Sequence, residues 1–322
     1  MNDQSTVGIL DQFQTDLVAA WQRLPNKAFF FALFVAWLIM FQFWGNPVLG
    51  VIHTNSLFSW MWEAYRSKEG AAADDSIGKL IPLVVLGLLW WKRGELLAQP
   101  LKMWLPALLL VIGGLILHLI GYFIQEPHIS IVALFVGIYG LTGLAWGWGW
   151  LKNSFFPFCL FVFCVPLGDH SNFITFPLRL LVTRLVEIIS HLLGIDVIRS
   201  GTQLGDPSGT FQYDVAAACS GIKSLFSVFL IAIVYGFVVF SSWQKRLVMV
   251  LLALPFAILG NLLRLLCIVV AAEIGGKEAG DFVHENAVTS LLPYVPALVG
   301  LFLIGGWMEK KQKQAAGSQA QV

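Results

Sequence analysis

The run CSGIKSLFSVFLIAIVYGFVVF, Cys219 to Phe240, decides the fold. It carries one charge, Lys223, near its start and none after it. At about 1.5 Å per residue a helix of this length is about 33 Å long, enough to cross a hydrocarbon core of about 30 Å. Upstream, DVIRSGTQL and GTFQYDV alternate roughly every second residue and are joined by GDPSG, which predicts a small β-hairpin leading into Cys219. Further upstream, between Phe173 and Leu193, apolar residues interleave with Arg179, Arg184, Glu187 and His191, the pattern of an amphipathic helix lying along a membrane surface.

The rest of the chain has the same character. Hydrophobic residues make up 57% and charged residues 12% of its 322 positions, and the mean hydropathy is +0.76, far from the usual soluble balance. A net charge of +1 gives no electrostatic reason to expect nucleic acid as a partner. Besides the run at Cys219, seven more stretches are candidate spans: Ala28 to Trp44, Ile77 to Trp91, Met103 to Ile124, Ile129 to Leu151, Ser154 to Pro166, Leu247 to Ile274 and Ala287 to Met308. Those starting at Ile77 and Ser154 are short. The expected fold is an all-α polytopic membrane protein of about eight transmembrane helices, with an outer-face amphipathic helix and a hairpin before the span that starts at Cys219.

Lys and Arg accumulate on the cytoplasmic side of membrane proteins. With the N-terminus inside, this arrangement puts Lys92, Arg93, Lys152, Lys245, Arg246 and the tail lysines inside, and most acids outside. Both termini are then expected in the cytoplasm. Residues 1–27 form an N-terminal cytoplasmic segment, too polar for a cleaved signal peptide. In it Ile9, Phe13, Leu17 and Trp21 recur every fourth residue. Residues 28–308 form one transmembrane domain with an outer region at 167–218, and 309–322 form a basic tail.

Chemistry concentrates at the outer face. The four cysteines, Cys159, Cys164, Cys219 and Cys267, have no metal-ligand spacing, so neither a metal nor any other cofactor is expected. Three of them lie within apolar spans and read as small buried hydrophobes. Cys219 instead opens a helix, where unpaired N–H groups favour a thiolate, and Lys223 on the same face acts in the same direction. Arg264, in LGNLLRLLCIVVAAE, lies within a span, where a cation must face the protein interior, pair or reach the interface; Asn261 lies one turn away on its face. His284, in AGDFVHENAVTS, falls in a short outer loop before the last span. A thiol, a cation and an imidazole thus arrive at one face, a nucleophile and its base with a fixed positive charge. His53, His118, His128 and His191 read as structural or solvated, with His170 a reserve base.

The segments VAAACSGIKSL, GNLLRLL and FVHENAV, on three successive helices, resemble the Cys, Arg and His motifs of the exosortase/archaeosortase family of membrane transpeptidases. The resemblance runs from CVPLGD to the final helix, and CSGIKS is its specific part. It implies a prokaryotic plasma-membrane cysteine protease and transpeptidase. Such an enzyme cuts proteins bearing a C-terminal motif, a transmembrane helix and a basic tail, then transfers them to a surface acceptor. Carried over by position, Cys219 is the nucleophile, His284 the acid/base and Arg264 the third catalytic residue. The family often has a glycine four residues after its histidine, where this chain has Val288. From the residues themselves, Ser220 and Gly221 add N–H groups for an oxyanion. Two other classes fit the same composition: a transporter or flippase, and a membrane-embedded acyltransferase.

Overall fold

A computed structural model describes residues 8–46, 54–66, 77–167, 172–214, 222–286, 288–289 and 292–319. The described chain forms two compact units, one of residues through Leu167 and the other from Asn172 onward. It is a multi-pass, all-α membrane protein with a single small sheet among the described residues.

The first unit holds α1 (Ile9–Arg23), α2 (Lys27–Trp44), α3 (Leu57–Arg66), α4 (Ile81–Trp91), α5 (Arg93–Leu97), α6 (Leu108–Phe123), α7 (Pro127–Trp146) and α8 (Trp148–Cys159). Helix α7 is central: 67% of its membrane-spanning window is buried, against 17% for α2. Its sequence explains this. Glycines at positions 137, 140 and 143 let neighbours approach its backbone, as small residues do wherever membrane helices pack closely. A Cβ on Gly137 would lie 2.0 Å from the Trp37 ring of α2, and that indole donates a hydrogen bond of 3.1 Å to the Leu134 carbonyl. His118 of α6 joins three helices: its Nε2 donates to the Trp44 carbonyl at 3.0 Å, and its Nδ1 accepts from the Ser130 hydroxyl at 3.1 Å. Helix α1 is tied down by the ion pair of Arg93 with Asp16 at 2.7 Å and by Phe13 against Trp90.

The second unit holds α9 (Asn172–Leu192), β1 (Ile198–Ser200), β2 (Gln203–Gly205), β3 (Gln212–Asp214), α10 (Ile222–Val239), α11 (Trp243–Glu285) and α12 (Val295–Gln319). The strands form an antiparallel sheet in the order β1-β2-β3, with Arg199 opposite Leu204 and Leu204 opposite Tyr213. Sheet, α9 and α11 share one core, in which Val182 and Val186 meet Leu204, Phe211, Tyr213, Leu265, Ile268 and Ala272. A second core joins α10, α11 and α12 through Val228, Ala232, Met249, Ala253, Ala257 and Leu301.

Several sequence expectations change. Among the described residues, five helices, not eight, are long and apolar enough to cross a membrane, with two shorter apolar helices at Ile77–Trp91 and Phe226–Val239. The expected span from Ile129 to Leu151 breaks at Gly147 (φ 98°), so the following helix starts at Trp148. The expected span from Ser154 to Pro166 is instead the end of α8, which contains Pro157, and a 3-10 turn over Leu160–Cys164. The predicted hairpin is a three-stranded sheet, because DVIRSGTQL folds back on itself at Gly201 (φ 64°) and GTFQYDV supplies the third strand. The span expected to end at Ile274 belongs to a helix reaching Glu285, interrupted at Gly276.

Candidate active site

Cys219, Ser220 and Gly221 lie outside the described residues, as do His53 and His170. Lys223 is in the first turn of α10. The described part of the candidate site is therefore built on α11 and the sheet.

Helix α11 begins as a membrane span and breaks at Gly276, whose φ of 73° and ψ of −176° are open to glycine and strained for other residues. Beyond the break the chain folds back. A Cβ on Gly280 would lie 2.9 Å from the Ala272 Cβ, and Val283 packs on the core that contains Ile268 and Ala272. In an unbroken helix the twenty positions from Arg264 to His284 would span about 30 Å. The turn at Gly276 shortens that separation and returns His284 toward the body of α11. His284 thus sits in a helical segment rather than the loop expected from sequence.

Arg264 is half-buried on α11, and its Nε is buried with no hydrogen-bond partner among the described residues. It forms no ion pair with Glu273. Asn261, one turn away and 7% exposed, accepts a hydrogen bond of 3.3 Å from the Tyr294 hydroxyl. Asn286 caps the following turn, its Oδ1 accepting from the N–H groups of Val288 and Thr289 at 3.0 and 3.3 Å. The ring beside His284 is Tyr213, with centroids 6.3 Å apart and planes at 29°.

Two residues that sequence reasoning passed over now stand out. Tyr213 lies in the alternating segment GTFQYDV, so its inward direction was legible but its neighbour was not. Arg179 is 5% exposed, and its Nε and Nη2 have no hydrogen-bond partner among the described residues. It precedes Val182 and Val186 by three and seven positions, the spacing of one helix face, whereas Arg184 is exposed. The other described histidines have structural partners: His118 as above, His128 with Glu126, and His191 donating to the Val197 carbonyl at 2.9 Å. Among the described residues no group of His, Cys, Asp or Glu side chains is placed to hold a metal ion.

A family model, that of the transmembrane exosortases, matches residues 62–303. The chain belongs to the exosortase family. The matched range includes Cys219, Arg264 and His284. Exosortases are membrane transpeptidases involved in protein sorting and in general use a cysteine. No curated protein and no solved structure matches the chain. In this exosortase, the described members of the motif set lie in one unit, the unit that also carries α10, with Asn261 and Arg264 before the break at Gly276 and His284 after it.

Proposed function

We propose that this exosortase is a cysteine transpeptidase of a prokaryotic plasma (inner) membrane. It cleaves surface proteins at a C-terminal sorting signal made of a short motif, a transmembrane helix and a basic tail. Both of its termini are cytoplasmic, as the distribution of Lys and Arg favours. The site opens on the outer side, where the substrate's own helix reaches it laterally through membrane lipid. The observation that carries this reading is the family match, which runs through all three motif segments.

In the proposed reaction His284 takes the proton of Cys219, and the thiolate sulfur attacks the scissile carbonyl carbon. The C=O electron pair moves onto oxygen. Arg264, half-buried and with its Nε unpaired among the described residues, is suited to hold that oxyanion, together with the N–H groups of Ser220 and Gly221. The C–N bond then breaks as the imidazolium returns its proton to the leaving amine, and a thioester remains. An acceptor nucleophile on the cell surface, or water, attacks the thioester, gives its proton to His284 and releases the thiolate. Lys223, on the first turn of α10, favours the thiolate form electrostatically.

The test compares the full-length protein with Cys219→Ser in liposomes, using a substrate bearing a tripartite signal and intact mass spectrometry. The expected result is a wild-type adduct that carries the substrate's N-terminal part, is released by hydroxylamine and is missing from Cys219→Ser. Cleavage that persists in Cys219→Ser would overturn the assignment.

A further inference from the structure

We propose that Tyr213 is the positioning residue of His284, holding the helical segment after Gly276 against the strand that leads to Cys219. The proposal rests on the reading of Cys219 and His284 given above. Three contacts carry it. The Tyr213 hydroxyl donates to the Lys277 carbonyl at 3.3 Å, one residue past the break. A Cβ on Gly280 would lie 2.1 Å from the Tyr213 hydroxyl oxygen, so the glycine is what allows the segment to sit this close. The Tyr213 ring stacks beside the His284 ring.

Positions 277, 280 and 284 lie on one face of a helix, since steps of three and seven residues return to nearly the same angle. One side chain therefore lies along the whole inner face of the segment, from its first turn to its last. Tyr213 is itself firmly held. It is 8% exposed, packs among Val182, Leu204, Leu265 and Ile268, and pairs with Leu204 across the sheet. A segment that follows a glycine break has no helical continuity to fix its direction, so a rigid external contact must do so. Cys219 follows Tyr213 by six residues, which makes the same strand the start of the path to the thiol.

The experiment uses three variants of the full-length protein in liposomes. Tyr213→Leu keeps apolar bulk in the core and removes ring and hydroxyl; Tyr213→Phe keeps the ring; Gly280→Ala pushes the segment away while leaving Tyr213 in place. Two quantities are measured: kcat and KM for the signal-bearing substrate, and hydrogen exchange of residues 277–285. Tyr213→Leu is expected to lower kcat about 100-fold with KM little changed, the cost of a misplacement on the order of 1 Å. Exchange in 277–285 rises while that of the α10–α12 core stays the same. Gly280→Ala is expected to act in the same direction, and Tyr213→Phe to stay within about tenfold of wild type, having lost one hydroxyl hydrogen bond.

Unchanged kcat and unchanged exchange in both Tyr213→Leu and Gly280→Ala overturn the proposal. So does a loss confined to KM, which marks a substrate contact instead. If exchange rises as expected but wild-type enzyme forms no Cys219 thioester, the contact stands as packing, while the reading of the site fails and Tyr213 loses its part in catalysis.

Discussion

In the first unit, buried polar groups mostly have partners; in the second, buried nitrogens of two arginines have none among the described residues. His118 is held from both ring nitrogens, Trp37 donates to Leu134, and the Tyr139 hydroxyl donates to the Leu151 carbonyl at 2.7 Å. The unit's unpaired buried atoms, Asn46 Oδ1 and Trp150 Nε1, belong to neutral groups. In the second unit they include guanidinium nitrogens of Arg179 and Arg264. An unpaired charge costs far more to bury than an unpaired amide, so it signals either a ligand to come or a place where stability is given up. On the proposed function, the first unit is scaffold and the second carries the chemistry.

The contrast breaks most sharply at Arg264 and His118. On the proposed function, Arg264→Met lowers the rate of thioester formation about 100- to 1000-fold, the range for losing an oxyanion donor, with the fold kept. His118→Phe does the opposite. It leaves Ser130 and the Trp44 carbonyl without their partner and lowers stability by about 1–3 kcal/mol, while the rate per folded molecule is unchanged. Thermal unfolding in detergent and single-turnover kinetics on both variants check the pair. Equal rate losses in the two would erase the division between the units.

A smaller effect is expected at Arg179. Replacing a buried charge with an apolar side chain of similar length is neutral or stabilising by about 1–4 kcal/mol when the charge serves no ligand. Arg179→Met is therefore expected to raise the unfolding midpoint. A fall in the midpoint would show that the guanidinium has a partner in the folded protein.

The smallest effect concerns the turn between β2 and β3. Asp206 accepts from the Ser208 hydroxyl and, at 2.9 Å, from the Phe211 N–H. These hydrogen bonds, that from Ser208 first, hold its carboxyl down to about 2. A depressed carboxylate favours the folded turn above the ordinary aspartate range near 3.8, and that contribution is lost as pH falls through about 2. Titration of the Asp206 side-chain carboxyl carbon by NMR is expected to show a midpoint near 2 in the wild type, rising toward the ordinary value in Ser208→Ala. A midpoint near 3.8 in the wild type would mean that the turn is not held this way.

Much of the architecture was legible in the sequence, for physical reasons visible in particular segments. Within the run from Cys219 to Phe240 the described residues form the expected helix, Ile222–Val239, the local structure that satisfies a backbone in lipid. Helix α9 was readable from its period, as Asn172–Leu192 agrees closely with the expected Phe173 to Leu193. The breaks were not readable. Gly147 and Gly276 look like any of the chain's 30 glycines until their φ values of 98° and 73° are known. A missed break moved α8 and put His284 in a loop. In the candidate site, the motif residues were chosen from sequence alone, and Arg264 kept its place on a membrane helix. Tyr213 and Arg179 were passed over because alternation and helical period say which way a side chain points, not what it meets.

The sequence by itself determined that this is a helical membrane protein of the exosortase family, because hydrophobic length and ordered motifs are local properties of a chain. Tertiary structure alone decided that the segment bearing His284 turns back at Gly276 onto Tyr213, and that Arg179 is enclosed while Arg184 is not. Those are contacts between segments far apart in sequence. Their energies depend on which surfaces meet, and no single segment carries that information.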